Sequence, residues 1–186
     1  GHISFRMSTF ALHAAQEPPP SAHREWWETR SFAALLMVLA VVPLLYPQNA
    51  PLVDLLGHIG RYRVQLDGQS SPWLHQYYQY DWAPIGNLGV DGLVQLLGPI
   101  LGLELAVKLI VMSIPLLTVA GFLLVAREVH HRLPPTALFS LLLVYNHPLL
   151  FGFVNFSLSM AFAFLAFGLW LRLARQGPLR LRGILF

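Results

Sequence analysis

The chain of 186 residues has no cysteine, which excludes disulfides and thiolate metal sites and leaves the redox compartment without a marker. Charge is almost as scarce. Charged residues make up 11% of the chain, hydrophobic residues 55% and aromatics 12%, and the mean hydropathy is +0.55. Such a chain would expose far too much apolar surface in water, which places it in the integral membrane class. Nucleotide-cradling loops are missing too: Gly86, Gly89 and Gly92 do not form a G-x-G-x-x-G turn after a strand, and there is no Gly-Lys-Ser of the Walker type. The pI of about 9.6 does not signal nucleic acid, because the Lys and Arg residues lie mostly near the ends of apolar segments rather than in one run.

What is present is a succession of apolar segments. Residues 1–30 are polar, carry Pro18, Pro19 and Pro20 in a row and hold no apolar core, so they read as a disordered cytoplasmic tail. Trp26 and Trp27 then stand where an interfacial belt would anchor a first span. Spans are expected over 31–46, 103–126, 136–145 and 157–171, with Pro43 and Pro115 inside two of them. Another apolar run opens at residue 183, so the chain reads as stopping at the start of a further span. The segment 89–102 is apolar but holds Asp91, Gln95 and Pro99. If it does not cross, the inner side holds Arg6, Arg24, Arg30, Arg127, Arg132, Arg172, Arg175, Arg180 and Arg182. The outer side then holds Arg61 and Arg63, with Lys108 at the membrane edge. That bias obeys the positive-inside rule, and a crossing at 89–102 would reverse it, so the segment is expected to be an interfacial or re-entrant helix. The expected fold is all-α: a polytopic transmembrane helical bundle of about four spans, with a membrane domain over 31–186 and its N-terminus in the cytoplasm. A bacterial inner membrane is the expected location. Its extracytoplasmic first loop, 47–102, would carry amphipathic juxtamembrane helices.

That loop gathers Asp54, Asp67, Asp81, Asp91 and, at its edge, Glu104. The stretch PLVDLLGHIGRYRVQLD reads as an amphipathic helix on which Asp54, His58 and Arg61 recur at three- to four-residue spacing. Asp54 and His58 at i and i+4 face one site, as a general base with its partner or as two ligands of a divalent cation. A satisfied surface pair would have the same spacing. Downstream, SPWLHQYYQYDWAPIGNLG packs Tyr80 and Trp82 around Asp81, a composition suited to stacking on sugar rings or to sitting among lipid headgroups.

The order of these features resembles the amino-terminal third of GT-C glycosyltransferases, membrane enzymes that use polyprenyl-phosphate sugars, such as protein O-mannosyltransferases and lipid A aminoarabinose transferases. Asp54 in LVDLLGHIGRY occupies the place of the family's catalytic Asp, and Asp81 in YDWAPIGNLG is similar to the acidic residue before its proline turn. The segment LGLELAVKLIVMSIPLLTVAGFLLVARE is similar to its next span. The chain departs from the family at Leu55, where a second acidic residue is common, and in YNHPLLFGFVNFSLSM, where Asn146, His147 and Asn155 stand in place of the usual Asp. Asn cannot act as a base, though it can ligate a metal or hold a phosphate oxygen.

The resemblance implies transfer of a sugar from a polyprenyl-phosphate donor to an acceptor on the outer face. Asp54 and Asp81 would be the catalytic carboxylates, Arg61 and Arg63 would hold the lipid phosphate, and His58, Tyr80, Trp82 and Asn155 would contact substrate. A divalent metal ion on Asp54 and His58 would be the one cofactor. The lipid bilayer and the lipid-linked sugar are the expected partners, and nucleic acid is not. Two other classes fit the same chain: a secondary transporter or channel subunit, for which Pro115 and the re-entrant segment would be broken-helix marks, and a non-catalytic membrane assembly protein. Polar residues clustered in an outer loop rather than at mid-membrane favour the enzyme.

Overall fold

A computed structural model describes residues 25–83 and 86–176. Most of the expected tail, the proline turn at 84–85 and the apolar run opening at 183 lie outside the described residues. The described residues are helical, with no strand among them. After a single 3-10 turn at Trp26–Glu28 come α1 (Arg30–Leu45), α2 (Leu55–Asp67), α3 (Pro72–Tyr77), α4 (Gly89–Leu101), α5 (Leu103–His130), α6 (Ser140–Val144), α7 (His147–Leu150) and α8 (Val154–Gln176).

The long α5 is the mast of the fold. Its 28 residues span about 42 Å at 1.5 Å per residue, and its mainly apolar sequence, packed on both sides of Pro115, stays helical through that residue. It packs most extensively on α8, and also on α1 and α4. Gly121 brings α5 and α8 together: a Cβ there would stand 2.6 Å from Cβ of Phe164. Two apolar clusters follow one another along α5. Leu36, Ala40, Val119, Leu123, Leu133 and Val144 fill one, and Leu55, Tyr62, Val90, Val94, Val107 and Ile114 belong to the other. Both α5 and α8 are long and apolar enough to cross a membrane. Their outward faces, with that of α1, carry large exposed side chains including Val38, Val42, Leu109, Phe162 and Phe167.

The expected span over 136–145 is not a single helix. Pro134 and Pro135 lead into a 3-10 turn at Pro135–Phe139, α6 lasts five residues, and Asn146 starts α7 afresh by accepting a hydrogen bond from Leu149 N. Prolines at both ends remove the donors and the backbone freedom that a continuous helix requires. The run still carries the chain from one end of α5 to the other. Leu133 lies in the cluster at the α5 C-terminal end, whereas the Leu150 and Phe151 carbonyls accept from Val53 N and Asp54 N at the opposite end. The first and last segments expected as spans form α1, a shorter apolar helix, and α8, which begins earlier and ends later than 157–171.

Lys108, expected at the membrane edge, closes the end of α1. Its Nζ donates to the Leu45 and Pro47 carbonyls at 3.0 Å each, where α1 leaves orphan acceptors. The segment 89–102 forms α4, separated from α5 by one residue, Gly102. It buries Val90, Asp91, Val94 and Gly98 against α2, α5 and α8 and leaves Leu96 and Ile100 exposed.

Candidate functional site

The site begins with a charge that α4 cannot leave alone. Asp91 lies in its first turn and is fully buried. A buried carboxylate needs a cation and hydrogen bonds to offset its desolvation, and α2 supplies the cation. Arg61 Nη2 lies 2.5 Å from Asp91 Oδ1. Asn155, reaching from the first turn of α8, donates from Nδ2 to Asp91 Oδ2 at 3.4 Å and accepts from Val90 N at 2.6 Å. Its amide thus caps the start of α4 from another helix. Gln65 adds a third tie, donating to the Asp91 carbonyl and to Gln95 Oε1 at 3.0 Å each.

Tyr62, next to Arg61, is fully buried and its hydroxyl has no hydrogen-bond partner among the described residues. Burial, and then the Asp91 charge, push it up to about 12, with Arg61 opposing, so it stays neutral at physiological pH. The Arg61 guanidinium sits 5.1 Å from the centre of the Tyr62 ring, within cation–π range. Arg63 is held independently by Asp67 at 2.9 Å and by Glu104 at the head of α5.

Arg61 and Arg63 are therefore oriented by carboxylates yet keep 40% and 44% of their side chains exposed. That leaves guanidinium donors free for an anion. Both line a cleft of about 680 Å³ together with Gly60, Leu74, Tyr80 and Asp81. Asp81 is exposed and accepts from Gln79 Nε2 at 3.2 and 3.0 Å. Tyr80 is raised from its usual value, chiefly by burial and then by the Asp91 charge, and packs edge-on to Trp82 at 5.4 Å between ring centres.

Of the residues expected at a site, Arg61, Arg63, Tyr80 and Asp81 thus meet in one cleft, with Trp82 beside it. Asp54 and His58 do not line it. Asp54 is exposed at the head of α2, where its N–H donates to the Phe151 carbonyl at 3.1 Å. Gly152 makes this approach possible. It has φ +89, and a Cβ on it would stand 2.9 Å from Asp54 N. His58 stacks on Tyr62, 6.1 Å between centres. Among the described residues no three His, Asp or Glu converge as a metal-binding group, around Asp54 and His58 or elsewhere. Asn155 is buried behind the cleft and engaged with Val90 and Asp91. Asp91, Tyr62, Gln65 and Glu104 were not expected at the site. Asp91 had a legible signal: an acid inside an apolar helix must find a partner, and the arginines of the neighbouring amphipathic helix were the nearest supply.

No family model, curated protein or solved structure matches the chain.

Proposed function

We propose that the chain is a membrane glycosyltransferase of the GT-C type, moving a sugar from a polyprenyl-phosphate donor to an acceptor on the outer face of a bacterial inner membrane. The observation that carries this reading is the cleft in which two carboxylate-held arginines face an exposed carboxylate and an aromatic ring. Arg61 and Arg63 hold the donor phosphate, for which a planar guanidinium offers paired donors. Tyr80 and Trp82 stack on the sugar. The acceptor hydroxyl attacks the anomeric carbon, its proton passes to a carboxylate, and the bond from that carbon to the phosphate oxygen breaks. The oxygen keeps the electron pair, and the arginines offset the charge that develops there.

Asp81 takes the proton because it shares the cleft with the arginines. Asp54, on the same face of α2 and about 10 Å from Arg61 along the helix axis, holds the acceptor. In this reading α1 and the broken run 135–150 complete four passes with α5 and α8. Support for the orientation comes from Arg30, Arg127, Arg132 and Arg172 meeting at the end of α5 opposite the cleft, as a cytoplasmic end would have it.

The test is transfer of labelled sugar from polyprenyl phosphate by the reconstituted chain. Asp81→Asn is expected to slow turnover by about 10²- to 10⁴-fold, while Asp54→Asn raises the acceptor KM. A larger turnover loss in Asp54→Asn would exchange the two roles. Full activity in both variants would defeat the reading.

A further inference from the structure

The end of the bundle opposite the cleft holds a second cavity, of about 330 Å³, for which the glycosyltransferase reading has no use. It is enclosed by the start of α1, the C-terminal end of α5, residues 131–133 and α8. Arg30, Arg127, Arg132 and Arg172 line it, facing a single carboxylate, Glu28. Arg172 also lies 3.5 Å from Glu128. Arg30, Arg127 and Arg132 make no ion pair among the described residues. Cations gathered around one concavity repel one another, and an anion there relieves that repulsion.

The remaining walls narrow the choice of anion. Ala33, Leu123, Leu124 and Leu133 form an apolar floor beneath the arginine rim. The outward side of α1, turned away from Ala33, carries exposed Leu35, Val38, Leu39 and Val42, as a lipid-facing side does. Trp26, at the head of that side, is exposed and packs edge-on to Phe32, a placement suited to the headgroup level. A free inorganic anion would use the rim and leave the floor idle, whereas an amphiphile uses both.

We infer that this cavity binds the phosphate headgroup of an anionic phospholipid, whose acyl chains stay in the bilayer around the bundle. Basic pockets between helices at the cytoplasmic side suit such headgroups. Lipid binding here is independent of sugar transfer and requires only that the helices lie in a bilayer.

The full chain is reconstituted into nanodiscs of phosphatidylcholine containing a minor share of phosphatidylglycerol, and the lipid retained after detergent extraction is counted by native mass spectrometry. The wild type is expected to retain phosphatidylglycerol over phosphatidylcholine, and millimolar inorganic phosphate should not displace it. The double variant Arg127→Gln with Arg132→Gln should weaken that retention roughly thirty-fold. Arg127→Lys with Arg132→Lys should keep most of it, because charge rather than shape is being read. Unchanged retention in the Gln pair, or equal loss in the Lys pair, overturns the inference. Displacement by phosphate alone would make this a free-anion site and overturn it too. Failure of the chain to enter the nanodiscs would overturn it together with the membrane reading, and that outcome alone touches the latter.

Discussion

The two ends of the bundle both concentrate arginine, but they hold it differently. At the cleft end Arg61 meets the fully buried Asp91 at 2.5 Å, and Arg63 meets Asp67 and Glu104, so each guanidinium is aimed by its own carboxylate. At the other end one carboxylate, Glu128, serves Arg172 and Arg175 at 3.5 and 3.4 Å, and the remaining arginines have no described ion-pair partner. The first arrangement fixes geometry, as holding a ligand in one orientation requires. The second supplies a field, which suffices for a surface that only needs to attract negative charge.

The largest expected effect comes from breaking the buried pair. Arg61→Ala strands the Asp91 charge and should cost about 3–5 kcal/mol, seen as a large fall in thermal unfolding temperature in detergent. Arg175→Ala is the matched change at the other end. There the carboxylate keeps Arg172 and the lost partner was exposed, so the cost should stay below about 1 kcal/mol. Equal losses would erase the distinction between the ends.

Asn155→Ala comes next. It leaves Val90 N–H and one oxygen of Asp91 without their partner, at about 1–3 kcal/mol, whereas Asn146→Ala, which removes only a local helix cap, should cost about 1 kcal/mol. Gly152→Ala forces a Cβ onto φ +89 and against Asp54 N, and about 1–3 kcal/mol of strain is expected. Proteolysis between α1 and α2 should accelerate with it.

Tyr62→Phe has the smallest effect at neutral pH, because it removes a buried hydroxyl that has no hydrogen-bond partner among the described residues. Its signature lies in alkali. The folded tyrosine titrates at about 12, above its ordinary 10.0, so its neutral form contributes stability that is complete below pH 10.0 and is lost as pH rises toward 12. Across that window the loss accumulates at about 1.4 kcal/mol per pH unit. A melting-temperature profile between pH 9 and 12 should fall for the wild type and be flatter for Tyr62→Phe.

The parts of this fold that were legible in the sequence are those set by long local pattern. The segment from Leu103 to His130 forms one helix because its only helix-breaking proline is Pro115, and of the stripe Asp54, His58 and Arg61 the last two lie on α2 while Asp54 precedes its first residue. The 136–145 segment was legible as an apolar run but not as a single helix, because Pro134, Pro135, Asn146 and Pro148 break the backbone into pieces. The site was half legible for a similar reason. Arg61, Arg63, Tyr80 and Asp81 sit within one stretch of sequence and fold onto one cleft. Asp91 is joined to Arg61 across 30 residues and to Asn155 across 64; an acid in an apolar helix signals that it needs a partner, but local spacing does not say which residues provide it. Within the apolar segment Asp91 reads as a mark of topology, when its burial makes it the anchor of the cleft.

The most direct test of the arginine cleft is binding of polyprenyl phosphate to the detergent-solubilised full chain, followed by its tryptophan fluorescence, to which Trp82 beside the cleft contributes. Arg63→Ala is the informative variant, since its carboxylate partners are exposed and its loss should cost little stability. A phosphate held by this cleft predicts that Kd rises about tenfold or more for Arg63→Ala and stays at the wild-type value for Arg175→Ala. An unchanged Kd in Arg63→Ala, or an equal rise in both variants, would contradict it.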